Sequence, residues 1–296
     1  MLFKNALIYR LEEKFVQTDL ELEKKFAEYI LTPCLSSEMQ SVGWLPAFRQ
    51  GRNLVVELEQ FIFFNVGIEE KLLPKGAVDN AVDKRALSEN ISLDSRAKRK
   101  ELEELVIAAL MPTALTQRKN IFAYIDLEKQ WLVIDASSAN KASIVTALLR
   151  KTLGSLSIVP ESPSQSVQSA LTYFAQFGIG DINFEILEDI EIKSLDEEGG
   201  QARIKGVPIS ATEVQQHIDG GWQVSKLGLQ YKERLQFSLG NDFILKRLKL
   251  TDLATEDIDG DDEPFLQAQA TALLMARELR VLITCLLRLI SSSDVP

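Results

Sequence analysis

The residues that most often carry metal or redox chemistry are scarce in this chain, which has two cysteines and one histidine among 296 residues. A zinc site needs about four cysteine, histidine or acidic ligands at close spacing, and Cys34 and Cys285 lie far apart in the sequence. The chain also lacks the GxxxxGK[ST] run that binds nucleotide phosphates. The sequence therefore indicates no metal, no cofactor and no disulfide framework.

A nucleophilic catalytic system would have to be built around His217, the single histidine. This residue lies in the short predicted helix 210–221, where a packing or surface role is more common than a catalytic one. A hydrolase that uses His217 and Asp219 is thus the weakest functional hypothesis, and the protein is not predicted to be an enzyme. The stretch DIDGDDEPFLQA (257–268) is acidic like a calcium loop, but Gly260 and Ala268 do not fit that pattern, so a solvated acidic loop is predicted.

A long uncharged apolar run is also lacking. The most apolar window, VLITCLLRLI at 281–290, is about half the length of a membrane-spanning helix and contains Arg288. The N-terminus has no basic region followed by an apolar stretch and a cleavage site, so no secretory signal is predicted. These features, together with the low cysteine content, lead us to expect a cytoplasmic protein without a membrane partner.

Bases are outnumbered by acids, 33 to 43, which gives a formal net charge of −10. This balance argues against the simplest kind of nucleic-acid-binding domain, which is basic overall. The acids, however, are concentrated in residues 181–198 and 252–263, whereas bases predominate between 203 and 250. Such segregation is compatible with one positive surface on a negatively charged molecule.

Strand and helix patterns follow one another in an order typical of an α+β fold with mixed or antiparallel sheets and flanking helices. Strands are predicted at 3–11, 53–74 (a pair), 121–137 (a hairpin), 182–187, 197–210 (a projecting hairpin arm) and 222–250 (a meander). Helices are predicted at 18–30 with Thr18 as N-cap, 76–112 (two, or one interrupted), 138–155, 166–177, 210–221 with Ser210 as N-cap, and 264–290.

The proline- and serine-rich stretch VPESPSQS (159–166) is the best candidate for a boundary. A chain of 296 residues can bury one large core or two smaller ones. We predict a central α/β part from residues 1–75 and 121–160 and a helical projecting part at 76–120. A second α+β part is predicted at 161–296, with the meander 222–250 and the helix 264–290.

The segment DFILKRLKL (242–250) places three bases within four positions of a predicted strand. Strict alternation puts Arg247 and Lys249 on one face and Lys246 on the other. A two-residue turn at 240–241 would set Arg234 opposite Arg247 and Lys232 opposite Lys249. Because facing like charges are destabilising, that register would imply a bound anion. A three-residue turn at 240–242 would relieve the conflict, and the sequence does not decide between the two.

Four further bases have no acids near them in the sequence: Arg118, Lys119, Arg150 and Lys151. The last two also lie in the final turn of a predicted helix, where cations interact favourably with the helix dipole, so a structural role and contact with DNA stay equally open. No aromatic residues are interleaved with the bases, as a single-strand-stacking protein would favour. Any contact with nucleic acid is expected to be with phosphate and independent of sequence.

Nine segments, read in order, resemble the recombination-associated protein RdgC family: MLFKNALIYRL (1–11), LTPC (31–34), VGWLP (42–46), EEKLLP (69–74), WLVIDASSANKA (131–142), LLRKTLGSLSIVP (148–160), EIKSLDEEGG (191–200), VSKLGLQYKERLQF (224–237) and LKRLKLTD (245–252). The resemblance runs nearly end to end. It implies a bacterial, nucleoid-associated protein that binds double-stranded DNA without sequence preference, with binding of single strands left open. It also implies a ring-shaped homodimer whose positive central hole encloses a duplex, and antagonism of a RecA-type recombinase without catalysis.

The resemblance favours a set of bases as residues kept in matching positions: Lys226, Arg234, Lys246, Arg247, Lys249, Arg150 and Lys151. Together with Lys232, Arg118 and Lys119 they form the predicted DNA-binding set. Relatives tend to read LPRAF where this chain reads MPTAL (111–115), which loses a base at Thr113 and an aromatic at Leu115, the predicted dimer-interface residue. The arm ARIKGVP (202–208) also has fewer cations at its tip, so weaker ring closure or weaker DNA contact is expected.

Two main functional hypotheses follow. In the first, a dimer encircles duplex DNA and restrains the recombinase, with phosphates held by the inner bases. In the alternative, the protein is an interaction module that acts directly on a recombinase through its acidic surface, and its contact with DNA is incidental.

Overall fold

The computed structural model describes residues 3–195, 199–256 and 263–292, and an α+β fold is confirmed. The strands are β1 (Asn5–Leu11), β2 (Gln40–Leu45), β3 (Val55–Leu58), β4 (Phe61–Lys71), β5 (Thr116–Asp126), β6 (Trp131–Ile134), β7 (Ile158–Pro160), β8 (Phe184–Lys193), β9 (Gln201–Lys205), β10 (Gln223–Tyr231), β11 (Leu235–Gly240) and β12 (Leu245–Leu250). The helices are α1 (Asp19–Ala27), α2 (Lys75–Ser88), α3 (Arg96–Leu110), α4 (Ala139–Leu153), α5 (Val167–Phe177), α6 (Thr212–Asp219), α7 (Asp252–Thr255) and α8 (Pro264–Ser292). The acidic residues 196–198 and 257–262, including most of the stretch that resembles a calcium loop, lie outside the described residues.

Within the described ranges the twelve strands form one open sheet in the order β2-β4-β5-β6-β1-β12-β11-β10-β8-β9, with β3 on β4 and β7 on β1. The strand ladders are antiparallel. Strand β1 joins a first half (β1–β7) to a second half (β8–β12), and its pairing with β12 covers only Asn5 with Lys246 and Ala6 with Leu245. This junction is narrow for so wide a sheet.

Helices cover the two halves differently. Helices α1 and α4 pack on one face of the first half, where Leu22, Phe26 and Leu149 join a core with the strand residues Ile62 and Ile134. The opposite face of the sheet is covered over both halves by one continuous core, to which α5, α6 and α8 contribute. In the described chain no helix packs on the remaining face of the second half.

Helices α2 and α3 form a hairpin with a small core of its own: Val78, Val82, Ala86, Leu102 and Val106. A 3-10 turn (Met111–Thr113) ends this hairpin, and β5 begins at Thr116. Lys71, at the end of β4, is buried beneath the turn and donates hydrogen bonds from its Nζ to the backbone oxygens of Ser36 and Met111. The helical hairpin is therefore fixed to the sheet at its base.

The sequence missed one strand and misplaced one helix cap. Strand β2 was not predicted; it passes so close to the preceding loop that a Cβ on Gly43 would lie 2.4 Å from the backbone nitrogen of Leu31, and such a long-range approach leaves no mark in the pattern. Helix α6 has Ala211 at its N-cap, without a side-chain hydrogen bond, where Ser210 was expected. The strand predicted within 197–210 is β9, which forms a hairpin with β8 at the edge of the sheet.

Helix α8 is ion-paired to both halves of the sheet. Its Arg280 donates two hydrogen bonds to Asp126 of β5, from Nε at 2.6 Å and from Nη2 at 2.9 Å. Its Glu278 accepts a hydrogen bond from Arg234 of the second half at 2.7 Å. The Asp126 side chain is 1% exposed, so its charge depends on Arg280 and on two backbone N–H groups. None of the described helices, α8 included, has the length and hydropathy needed to cross a bilayer.

Replacing Arg280 with methionine is expected to lower the free energy of unfolding by about 3 kcal/mol, because the buried Asp126 carboxylate loses its counter-charge. Urea unfolding followed by circular dichroism measures the change. The matched control is Arg277→Met, on the same helix as Arg280. It breaks the exposed ion pair between Arg277 and Glu59 and should cost less than about 1 kcal/mol. Equal losses for the two variants would contradict this assignment.

Candidate nucleic-acid interface

The uncovered face of the second half is polar because the strands alternate. Along β10, Leu227 and Leu229 point into the core with α8, so Lys226, Gly228 and Gln230 point the other way. We call this uncovered surface the open face. It lies on the same side of the sheet as α4, and its charged residues include Asp189, Glu191, Arg203, Lys226, Lys246, Arg247 and Lys249.

Glu191 on β8 holds two bases from the neighbouring strands. Its Oε1 accepts a hydrogen bond from Lys226 Nζ at 2.6 Å and lies 3.2 Å from Arg203 Nε. Burial raises the pKa of Glu191, but the hydrogen bond and charge of Lys226, with the charges of two nearby arginines, outweigh burial and bring that pKa below its usual value. The carboxylate is therefore ionised at neutral pH, and its 13% exposed side chain lies deeper than the 47% exposed Arg203.

Arg247 reaches from β12 to β8, where its Nη1 donates a hydrogen bond to Asp189 Oδ2. On the strands between, Ser238 pairs with Gly228 and with Lys246, the residue before Arg247, so no long side chain lies in the way at this point. Gly228 fits closely, since a Cβ there would lie 3.1 Å from the backbone oxygen of Asp189. Arg247 itself has a φ of 56° and stands where the β11–β12 register shifts, which marks a β-bulge.

The hairpin between β11 and β12 has neither of the predicted registers. Leu239 pairs with Leu245, so the connection is longer than a two- or three-residue turn. Lys249 lies opposite Gln236. The predicted conflict between facing like charges therefore does not arise, and it gives no argument for a bound anion.

The bulge also changes which bases share a face. Leu245, Leu248 and Leu250 are buried in the core on the α8 side. Lys246 and Lys249 therefore both point toward the open face, although strict alternation predicted that they lie on opposite faces. Lys246 lies 3.3 Å from Asp242 within its own hairpin. Lys249 is exposed and makes no ion pair with any described residue. It is the predicted base whose charge this face leaves uncompensated.

Two predicted bases of the meander lie elsewhere. Arg234 is bound to Glu278 of α8, and its side chain is 21% exposed. Lys232 stands in the turn between β10 and β11 with a φ of 48°, and its Nζ lies 5.3 Å from the centre of the Tyr231 ring. The structure therefore does not bring Arg234 to the open face, whereas Lys232 borders one end of that face beside Glu185 and Gln230.

Arg118 and Lys119 are not free of acids, as their sequence neighbourhood indicated. Both lie on β5 beside β4, and Arg118 Nε donates to Glu69 at 2.8 Å while Lys119 is paired with Glu70. A hydrogen bond from the backbone N–H of Cys34, with that from Arg118, lowers the pKa of Glu69. Both bases lie in the first half of the sheet, away from the open face.

Arg150 and Lys151 are exposed in the last turn of α4. Arg150 Nε donates to the backbone oxygen of Leu156 at 3.3 Å, and Lys151 Nζ lies 4.7 Å from the centre of the Tyr29 ring. Gly154 ends the helix with a φ of 83°, a backbone conformation that glycine adopts readily. The pair lies on the same side of the sheet as the open face, on the helix-covered half.

Leu115 and His217 complete the predicted residues. Leu115 is 77% exposed between the helical hairpin and β5, and its backbone oxygen accepts a hydrogen bond from Leu72. The His217 ring packs at 4.8 Å from that of Trp222, and Asp219 accepts a hydrogen bond from Gln176. His217 and Asp219 are not hydrogen-bonded to each other in the described structure. Nor do the described residues form a group of three or more His, Cys, Asp or Glu able to hold a metal.

Sequence reasoning missed Arg203 and the two deep carboxylates, Asp189 and Glu191. Each acid lies on β8, far in sequence from the base that it binds on β12 or β10. A signal for Arg203 did exist, because the alternating QARIK puts Ala202 and Ile204 on one face and Arg203 on the other. Both carboxylates lie in the acidic block 181–198, which indicated charge segregation but no partner for any single acid.

We expect Lys226→Gln to raise the pKa of Glu191, measurable by an NMR titration of its carboxyl carbon. The pKa of Glu191 in the folded protein lies below its usual value. The ion pair therefore stabilises the fold fully when the pH is above the usual pKa of a glutamate, and this stabilisation is lost as the pH falls through the folded-state pKa. The variant should accordingly be destabilised at pH 7 and much less at acid pH. Lys249→Gln, which removes the same charge without breaking an ion pair, serves as the control; an unchanged Glu191 pKa in Lys226→Gln would refute the assignment.

The fold and this site define an α+β protein with one charged, uncovered sheet face. A family model described as "Putative exonuclease, RdgC" matches residues 1–293, and the chain belongs to the RdgC family. The chain is 35% identical over 288 residues to the recombination-associated protein RdgC of Proteus mirabilis, with 95% of each chain covered. It is 34% identical over 288 residues to that of Sodalis glossinidius (95% and 94% covered) and 32% identical over 290 residues to that of Salmonella paratyphi B (96% of each).

Proposed function

We propose that this protein binds DNA without sequence preference, as a ring-shaped dimer that encloses a duplex and restrains a RecA-type recombinase at the nucleoid. One observation carries the DNA-binding part: the open face presents Lys249, which has no counter-ion among the described residues, beside Lys246 and Arg247 on a sheet surface that no described helix covers. The recombination-associated name of the relatives supports the biological setting.

The lysine and arginine side chains of the open face are suited to contact DNA phosphates rather than nucleobases. They project from the face of a wide sheet, which cannot enter a groove as a single helix does, and contacts with phosphate fix position without reading sequence. Within the open-face set no aromatic side chain is present to stack on a single-stranded base, so a duplex is the favoured ligand. The proposal includes no catalytic step, because these side chains bind an anion without supplying a nucleophile or a general base.

A ring would reconcile the net charge of −10 with DNA binding, since its outer surface can be acidic while its inner surface is basic. In this arrangement the open face lines the hole, and Arg150 and Lys151 on α4 extend it on the same side of the sheet. The exposed Leu115 is proposed to meet a second copy at ring closure. Retention on DNA would then depend on closure as well as on charge.

Lys249→Gln is expected to weaken duplex binding and to reduce the slope of log K against log salt by about 1.8, because it removes one phosphate contact, worth about 0.9, from each subunit of the proposed dimer. Fluorescence anisotropy with a labelled duplex across a salt series measures both quantities. Lys84→Gln, on the exposed surface of α2, removes the same charge away from the open face and should change neither. If the two variants behave alike, the open face is not the contact surface.

Enclosure predicts that the protein escapes more slowly from covalently closed circular duplex than from linear duplex of the same sequence. Off-rates under competition, with the dimer confirmed by light scattering, provide the measurement. Leu115→Asp should place a charge in the closure contact, reduce the dimer fraction and remove the difference between the two DNA forms. Equal escape from both forms by a wild-type dimer would leave a basic surface that docks without enclosing.

The alternative, a module that acts directly on the recombinase, makes an opposite prediction. Charge reversal at Arg247 and Lys249 should abolish inhibition of strand exchange if DNA is the point of action. Inhibition that survives this double substitution, while duplex binding is lost, would favour direct contact with the recombinase.

A further inference from the structure

The carboxylates of the open face lie beneath the bases that they bind. The Asp189 side chain is 19% exposed and that of Arg247 is 43% exposed. A phosphate that approaches Arg247 therefore meets a guanidinium whose inner side is already occupied by an anion. The two lysines differ from Arg247: Lys246 is paired with Asp242 of its own exposed hairpin, and Lys249 has no acid partner within the described ranges.

The hydrogen-bonding capacity of the Asp189 carboxylate is only partly used. Its Oδ2 accepts the hydrogen bond from Arg247, but its Oδ1 is buried and has no donor among the described residues. A buried carboxylate oxygen without a donor costs free energy. Glu191 differs from Asp189, because its Oε1 contacts both Lys226 and Arg203 and its pKa lies below the usual value. Stability alone thus accounts well for Glu191 and poorly for Asp189.

We propose that Asp189 is an internal competitor for phosphate: its ion pair with Arg247 must open, or share the guanidinium, before Arg247 contacts DNA. The inference rests on the proposed function and adds a regulatory element to it. The pair holds Arg247 across the small side chains of Ser238 and Gly228 in the absence of DNA and lowers the affinity of the open face. The site then favours ligands with closely spaced phosphates, such as a duplex, over isolated anions.

The expected effect can be set from counterion release. Freeing Arg247 for one phosphate contact in each subunit of the dimer adds about 1.8 to the salt slope, which corresponds to about a thirtyfold gain in affinity at physiological salt. Asp189→Asn keeps the shape and an acceptor for Arg247 while removing the charge. It should therefore bind duplex about thirtyfold more tightly than wild type, with the steeper slope.

Glu185→Gln is the matched control. Glu185 lies on the same strand and the same face, is exposed, and accepts a hydrogen bond from Gln230, not from a base. It removes one negative charge without releasing a cation, so a smaller gain with an unchanged slope is expected. In the Arg247→Gln background, Asp189→Asn should give no gain. Asp189→Ala provides a second test if the asparagine variant is unstable by urea unfolding.

The outcomes separate this inference from the function on which it rests. Wild-type protein that binds duplex with a salt-dependent affinity, but in which Asp189→Asn equals Glu185→Gln or binds more weakly, overturns the competitor role and leaves the proposed function intact. Wild-type protein and Asp189→Asn that both fail to bind duplex at low salt overturn both proposals. A gain specific to Asp189→Asn and dependent on Arg247 supports the competitor role.

Discussion

Helix α8 is the element on which the arrangement of this protein depends. The two halves of the sheet meet at β1 through only two paired positions, Asn5 with Lys246 and Ala6 with Leu245. Two-residue pairing is too little to fix the angle between two large half-sheets. The shared core beneath α8, together with its ion pairs to both halves, supplies the missing constraint, because a buried carboxylate tolerates no separation from its guanidinium.

This packing decides where a binding surface can form. Since α8, α5 and α6 cover one side of the second half and α4 ends over the first half, one sheet face is left without a helix. A face exposed to water must carry polar side chains, and the alternation of β10 and β8 provides them. The open face is thus a consequence of how the helices are distributed, and its charges are the part that can vary with function.

Local structure was predictable where local chemistry decides it. Thr18 forms the capping box that its spacing to Glu21 implies, and Gly154 ends α4 in a left-handed conformation. The α+β class and the three-stranded meander followed from periodicity alone. Contacts between distant segments left no such signal: β2 depends on the approach of another loop to Gly43, and the acids opposite Arg118 and Lys119 come from β4.

The bulge at Arg247 shows why the site was harder to predict than the fold. One extra residue in β12 reverses the parity of everything beyond it, so Lys246 and Lys249 share a face that strict alternation denied them. The same bulge directs Arg247 toward Asp189, a partner 58 residues away in the sequence. The sequence therefore shows where the bases occur along the chain, whereas assigning them to faces of the sheet requires the register.

Charge partners, more than net charge, determine what a basic strand can bind. Arg203 lies above its more deeply buried partner Glu191 and still presents its cationic end to solvent. The negative charge of Glu191 lies within a Debye length, however, and partly cancels the potential of Arg203. A base with no acid among the described residues, such as Lys249, presents its full charge. The open face combines both kinds of base, so its positive charge is compensated to a different degree at each residue, and the net charge of the chain does not describe it.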